Sequence, residues 1–449
     1  MSDPLAQEFT LPCGAVLPNR LCKAAMTEGL ADGWLRATAR HERLYRKWSE
    51  GGAGLLLTGN VQIDRRVLER PGNVAIDVTD WDRVGPNGGM AALQRWTAAG
   101  TVAGNHLWAQ ISHAGRQSFR YITSQPLAPS AVQLELMGNF ARPRALREDE
   151  ILDFIQRYAQ VAKICREAGF TGVQVHGAHG YLISSFLSPI TNQRTDDWGG
   201  SLENRARFLL EILRATRKAV GDDFPVGLKL NSDDFRKGGF SNEDCLQVVK
   251  WLNDESVDLL EVSGGTYEQP KLLGYEGKAD TAVGPQRQST VAREAYFLDY
   301  AQKIRAVARM PMMVTGGFRS RAGMEATIAG GHCDVIGLGR PQCTDADFPK
   351  QLLSGKVDEA PRWEHKVKLS DRKWLSGASP IFLFKMINVF GQQGWYYLRL
   401  FELADNKPLK LSAGVFGSFF GYMLDEYRSA FRMHRARKAL ANGAVPDDQ

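Results

Sequence analysis

The 449-residue sequence predicts an α/β protein, a (β/α)8 TIM barrel with a C-terminal helical extension. Three observations lead there. Eight apolar, β-branched runs, each followed by a helical pattern, occupy roughly the first 355 residues, and such barrels need about 250 residues before insertions. The runs are apolar almost without a break, as strands buried on both faces of a parallel sheet are. No G-x-G-x-x-G follows the first run, which argues against a doubly wound dinucleotide fold.

In chain order the strands are expected at Arg20–Thr27, Leu55–Asn60, His106–Ser112 and Gly172–Gly177, then at Pro225–Asn231, Asp258–Gly265, Pro311–Gly317 and Asp334–Arg340. The clearest helix is Asp149–Ala168, where Ile151, Ile155, Tyr158, Ala162 and Cys165 recur at steps of three and four until Gly169 stops it. Another begins at Ser201, with Glu203 and Asn204 in its first turn. From about Val357 the rhythm breaks. "SPIFLFKMINVF", "GWYYLRLFELA" and "AGVFGSFFGYML" are each shorter than the roughly 20 apolar residues that span a bilayer, and a basic run, "YRSAFRMHRARKAL", follows them. Residues 1–355 therefore read as the barrel and 356–449 as a mostly helical extension that packs on the barrel or across a homo-oligomer, with a membrane surface as the lesser choice. No fixed-period repeat is visible.

The composition, 43% hydrophobic and 24% charged, is that of a globular protein. A net charge of +6 is mild at this length and makes no case for nucleic acid. The six cysteines are scattered without a C-x-x-C pair, which excludes an iron–sulfur run, a zinc knuckle or a disulfide scaffold. The N-terminus lacks a basic segment followed by an apolar core, so a cytoplasmic protein is expected.

Barrels of this kind carry their chemistry at the carboxyl ends of the strands. That rule gathers Thr27, Asn60, Gln110, His176, Lys229 and Ser263 at one mouth, with Arg340 just beyond the last strand. The set holds no paired carboxylates, Ser-His-Asp trio or obvious nucleophilic cysteine. It is a ring of donors, suited to an electron-rich heterocycle whose reduced form carries negative charge. "VTGGFRSRAG" and "VIGLGRPQ" add glycines and an arginine after the last two strands, where barrels commonly bind phosphate. Tight turns alone are the plainer account of those glycines.

Together, "NRLCKAAMTEG", "WAQISHAGR", "VHGAHGYLISSFLSPITNQRTDDWGGSLENR", "VTGGFRSRAG" and "GLGRP" resemble the Old Yellow Enzyme family of FMN-dependent ene-reductases, over about Phe9–Leu353 and not the tail. The resemblance implies tightly bound FMN, reduced by NADH or NADPH, that passes hydride from flavin N5 to the β-carbon of an α,β-unsaturated carbonyl compound. It implies that backbone around Ala25, Met26 and Asn60, with the Thr27 and Gln110 side chains, meets the flavin ring, and that Lys229 stabilises the reduced anion. Gly316, Gly317, Gly339 and Arg340 would hold the phosphate. His176 and His179 would receive the carbonyl oxygen, and Tyr181 would give the proton. Some positions depart from the family's patterns. Thr27 stands where one bacterial branch has cysteine, His179 where the yeast type has asparagine, Ser112 where that type has tryptophan, and Asn60 where glycine or alanine is usual.

Other readings stay open from the residues alone. His176 and His179 suit zinc in a metal-dependent hydrolase, but Gln174, Ala178 and Tyr181 supply no further ligand or carboxylate. A non-catalytic flavin-binding barrel is the third reading. Trp34, Trp198 and the aromatic residues of the tail read as packing, and His113 and Arg116 as loop contacts as readily as substrate contacts.

Overall fold

All eight apolar runs form strands, and the eight pair in sequence order into one closed parallel barrel. They are β1 (Leu21–Lys23), β2 (Leu55–Gln62), β3 (His106–Ser112), β4 (Gly172–Gly177), β5 (Val226–Asn231), β6 (Leu259–Ser263), β7 (Met312–Thr315) and β8 (Val335–Leu338), with β8 closing onto β1. The structure is a computed structural model and describes residues 3–136, 138–264, 300–370, 372–376 and 379–446. Gly265, at the end of the expected sixth strand, and residues 447–449 lie outside the described residues.

The expected first strand overshoots. β1 ends at Lys23, because only Leu21–Lys23 find partners on β8. Ala24 N still donates to Leu338 O at 2.9 Å, and the chain then leaves the sheet, so Thr27 sits on the loop above β1. β2 runs on to Gln62 and carries a register shift between Leu57 and Asn60.

Trp108 on β3 explains how the barrel is filled at its floor. A Cβ at Gly172 on β4 or Gly227 on β5 would lie 2.5 and 2.9 Å from its indole, so glycine at both positions admits the ring. Leu55, Leu57, Leu259, Met313 and Val335 pack around it. Side chains alternate along a strand, so the inward positions two residues on are Gln110, Gln174, Lys229 and Glu261. The interior is thus dry at the floor and polar toward the mouth.

The helices cover the outside. Glu148–Glu167 buries Ile151, Ile155, Tyr158, Ala162 and Cys165, the stripe read from the sequence. Leu202–Val220 starts at Ser201, whose Oγ accepts from Asn204 N at 3.3 Å. The six cysteines are all free.

The tail forms two long helices, Phe382–Ala404 and Val415–Ala441. Gly391 meets Val415, Gly394 meets Ser418 and Tyr422, and Leu398 meets Gly421, so the helices run side by side in the same direction. The connection returns along the first helix, with Lys410 N donating to Glu402 Oε2 at 2.9 Å. Among the described residues no helix is long and apolar enough to cross a membrane.

The inner face of the second tail helix packs on the barrel. Its Glu426 pairs with Arg70 of the loop after β2 and accepts from Tyr121 Oη at 3.1 Å. The Arg70 guanidinium also lies 4.1 Å from the Tyr397 ring and 5.1 Å from that of Tyr422. Arg70 is 3% exposed, so Glu426→Ala leaves a buried cation unpaired, and a loss of about 3–5 kcal/mol is expected. A fall in the thermal midpoint should report it.

Candidate active site

The loops above β1 to β5 and β8 surround a cavity of about 430 Å3, a size ordinary for a cofactor or small ligand. Ala25, Met26, Thr27, Asn60, Gln110, His176, His179, Tyr181, Lys229 and Arg340 all line it. Gly316, Gly317 and Gly339 do not. They stand at the ends of β7 and β8, with φ of 115° at Gly316 and 82° at Gly317, conformations that favour glycine.

The floor of the cavity is a chain of hydrogen bonds across four strands. Gln110 Nε2 donates to Gln174 Oε1 at 2.6 Å, Gln174 Nε2 donates to Glu261 Oε2 at 2.8 Å, and Glu261 Oε1 lies 3.0 Å from Lys229 Nζ. Glu261 is fully buried, so its charge and that of Lys229 are held close and compensate each other.

The histidine pair stands above this floor. His176 Nδ1 accepts from Ala178 N at 3.2 Å, which leaves the proton on Nε2. His179 takes a left-handed backbone, φ 63°, held by a bond from its N to Asn231 Oδ1 at 3.0 Å. Its Nε2 meets Ser263 Oγ at 2.6 Å, which anchors the ring. The two imidazoles are 5.2 Å apart, and the Tyr181 ring is 4.8 Å from that of His176. Burial pushes both imidazoles well below the usual histidine range; His179 and Lys229 add to this at His176, and Lys229 at His179. Both are neutral near pH 7.

At the other end, Arg319 and Arg340 converge on Glu364, at 2.9 and 3.7 Å. Burial would raise the Glu364 carboxyl, but the two guanidiniums hold it at about 2. Two cations around one carboxylate leave this end positive. Tyr396 Oη also donates to Glu364, at 3.1 Å.

Several expected roles meet a different local geometry. The Thr27 hydroxyl donates to Glu69 Oε2 at 2.6 Å, and Asn60 Nδ2 donates to the same oxygen at 2.5 Å. Asn60 therefore uses its side chain as well as its backbone. His113 is buried against Asp64, 3.7 Å from Nε2, and the Arg116 guanidinium reaches Val132 O and Gln133 O, so the loop reading holds for both. The packing reading fails for part of the tail. Val389, Gln392, Gln393, Tyr396, Tyr397 and Leu400 of the first tail helix line the cavity. Among the described residues no group of three or more His, Cys, Asp or Glu is placed to hold a metal ion, so a zinc site at His176 and His179 finds no third ligand there.

Sequence reasoning also missed Glu69, Gln174, Glu261 and Glu364. The signal for two of them was present, since Gln174 alternates with His176 and Glu261 with Ser263 on otherwise apolar strands.

The donor set fits a flavin mononucleotide. An amide and an ammonium stand at one end, the Arg340 guanidinium at the other, and the buried Asn60 Oδ1 lacks a hydrogen-bond partner. This fold and site define a (β/α)8 barrel whose mouth can hold FMN. Residues 13–359 match the NADH:flavin oxidoreductase / NADH oxidase family, and the chain belongs to that family, to which the Old Yellow Enzyme motifs point. It is 39% identical over 369 residues to an NADH-dependent flavin oxidoreductase of Neonectria sp. (strain DH2), covering 78% of this chain and 47% of that one. It is 34% identical over 387 residues to an NADH-dependent flavin oxidoreductase of Hypocrea jecorina (strain QM6a), covering 81% and 90%. It thus spans about half the length of the first relative and nearly all of the second. Among solved structures, a 2-naphthoyl-CoA reductase complex superimposes with a TM-score of 0.70 at 27% identity, over 79% of this chain and 53% of that one.

Arg340→Ala is expected to weaken FMN binding roughly ten- to a hundredfold, the loss of one charge-assisted contact to phosphate. Flavin content after dialysis checks it, and full retention places the phosphate elsewhere.

Proposed function

We propose that the chain is an ene-reductase, using NADH or NADPH to reduce the activated C=C bond of an α,β-unsaturated carbonyl compound. The observation that carries this reading is the neutral His176 beside His179 and Tyr181, in one cavity with Lys229 and Arg340. A general base would need a free lone pair. His176 Nδ1 is instead taken by Ala178 N, so the ring offers a donor.

When bound, FMN supplies the hydride-transfer chemistry. The chain supplies the rest. Arg340 and the Gly316–Gly317 turn receive the phosphate, and Gln110 and Lys229 bond the polar edge of the ring. His176 Nε2 donates to the substrate carbonyl oxygen, with His179 as the second donor, and lowers the energy of the enolate-like charge that develops there. Tyr181 gives its phenolic proton to the α-carbon. Tyr396, Tyr397 and Leu400 present aromatic and apolar surface to the same cavity, which favours a substrate with an apolar or ring-bearing substituent. The 2-naphthoyl-CoA named for one solved relative is a ring conjugated to a carbonyl, in keeping with that class.

The test begins with the visible spectrum of the purified protein and continues with NAD(P)H oxidation across a panel of enones. Yellow protein that turns over enones supports the reading. A colourless protein with stoichiometric zinc contradicts it, and yellow protein inert to every enone leaves a flavin-binding barrel without this activity.

A further inference from the structure

The outward face of the second tail helix has no part in the cavity, and it is strongly apolar. Phe416, Phe420, Leu424, Tyr427 and Phe431 are exposed by 55, 53, 51, 57 and 70%. Their spacing of four, four, three and four residues puts them on one stripe about four turns long. The opposite face, with Tyr422, Glu426, Met433 and Leu440, is buried on the barrel, so the stripe cannot turn inward without breaking the Arg70–Glu426 pair.

Charge distinguishes among possible occupants. The helix continues past Phe431 into exposed Arg432, Arg435 and Lys438, with exposed Arg428 beside the stripe. Its two acids lie off the apolar stripe. Glu426 is buried against Arg70, and Asp425 falls about 100° or more from the Phe420–Tyr427–Phe431 line at 100° per residue. A second copy packed in parallel on this face would set basic turn against basic turn. Packed antiparallel, it would set the basic turns against Phe416, Gly414 and Lys410, again without an acid.

Phenylalanine, leucine and tyrosine on one face with arginine and lysine at its border are the pattern of a helix that lies in a lipid interface. We propose that this face docks the protein peripherally on an anionic membrane surface, its aromatic stripe at the headgroup boundary and its basic end on lipid phosphates or carboxylates. The barrel mouth and its cofactor site are untouched by this proposal, which stands whether or not the substrate class is as inferred above.

Flotation of the full-length, flavin-loaded protein tests it, with vesicles of phosphatidylcholine alone and of equimolar phosphatidylcholine and phosphatidylserine. The protein should float with the anionic vesicles and much less with the neutral ones. Removing one basic residue costs roughly fivefold in partitioning, so Arg435→Glu with Lys438→Glu should reduce it at least tenfold. Phe420→Glu with Phe431→Glu should abolish it. All four side chains are exposed, so flavin content and NAD(P)H consumption should be unchanged and show that the variants fold. Absence of flotation in wild type overturns the proposal, as does equal binding to both vesicle types. A homodimer that the phenylalanine variants convert to monomer, without lipid binding, assigns the stripe to a second copy instead.

Discussion

Tyr181→Phe is expected to slow reduction of an enone by about 10²–10⁴-fold while leaving reduction of the flavin by NAD(P)H nearly intact. The split follows from position. Tyr181 lines the cavity at 4.8 Å, ring to ring, from His176, and its phenol is the group assigned to protonate the α-carbon. The cofactor half-reaction has no such proton to deliver. Phenylalanine keeps the ring in its buried place and removes only the hydroxyl, so packing changes little. Anaerobic stopped-flow measurement of each half-reaction reads the effect, and equal slowing of both would remove Tyr181 from the proton-donor role.

Loss of the two imidazoles should cost comparably. His176→Ala and His179→Ala each remove one donor, worth on the order of 10²-fold in turnover, and the pair need not be additive. Phenols mimic an enolate through their oxygen, so the double variant should also lose most of its phenol affinity. Because burial keeps both rings neutral, wild-type phenol binding should show no histidine titration between about pH 6 and 8. Ser263→Ala separates the two contributions. It removes the hydroxyl that anchors His179 at 2.6 Å and leaves His176 Nδ1 on Ala178 N, so it should weaken phenol binding less than either histidine change. An unchanged phenol titration in the double variant would dispose of the oxyanion role.

The barrel was legible because each strand is an apolar run of the right length, and because parallel strands buried on both faces leave little other choice of residue. The ends were less so. β1 stops at Lys23 because its neighbours offer no further partners, a property of β8 and not of "RLCKAAMT" itself. The residues at the mouth could be gathered from strand ends alone, since topology fixes where those ends point. What they bond to could not. Glu69 comes from the loop after β2, and its bond from the Thr27 hydroxyl joins two loops 42 residues apart in the chain. Glu364, which takes up Arg319 and Arg340, lies in a segment that the motifs do not reach. The first tail helix was hardest to read. Its aromatic residues look like packing in any amphipathic helix, and it is docking on the barrel, through Arg40 to Asp405 and Arg43 to Ala404 O, that brings Tyr396 and Tyr397 over the cavity.

The most direct test of the central claim is an anaerobic single-turnover experiment on the purified wild-type protein. NADH or NADPH should bleach the flavin absorbance, and a ring-bearing enone should then restore it, with one saturated ketone formed per flavin. Flavin that bleaches and is reoxidised by oxygen but by no enone would contradict the claim.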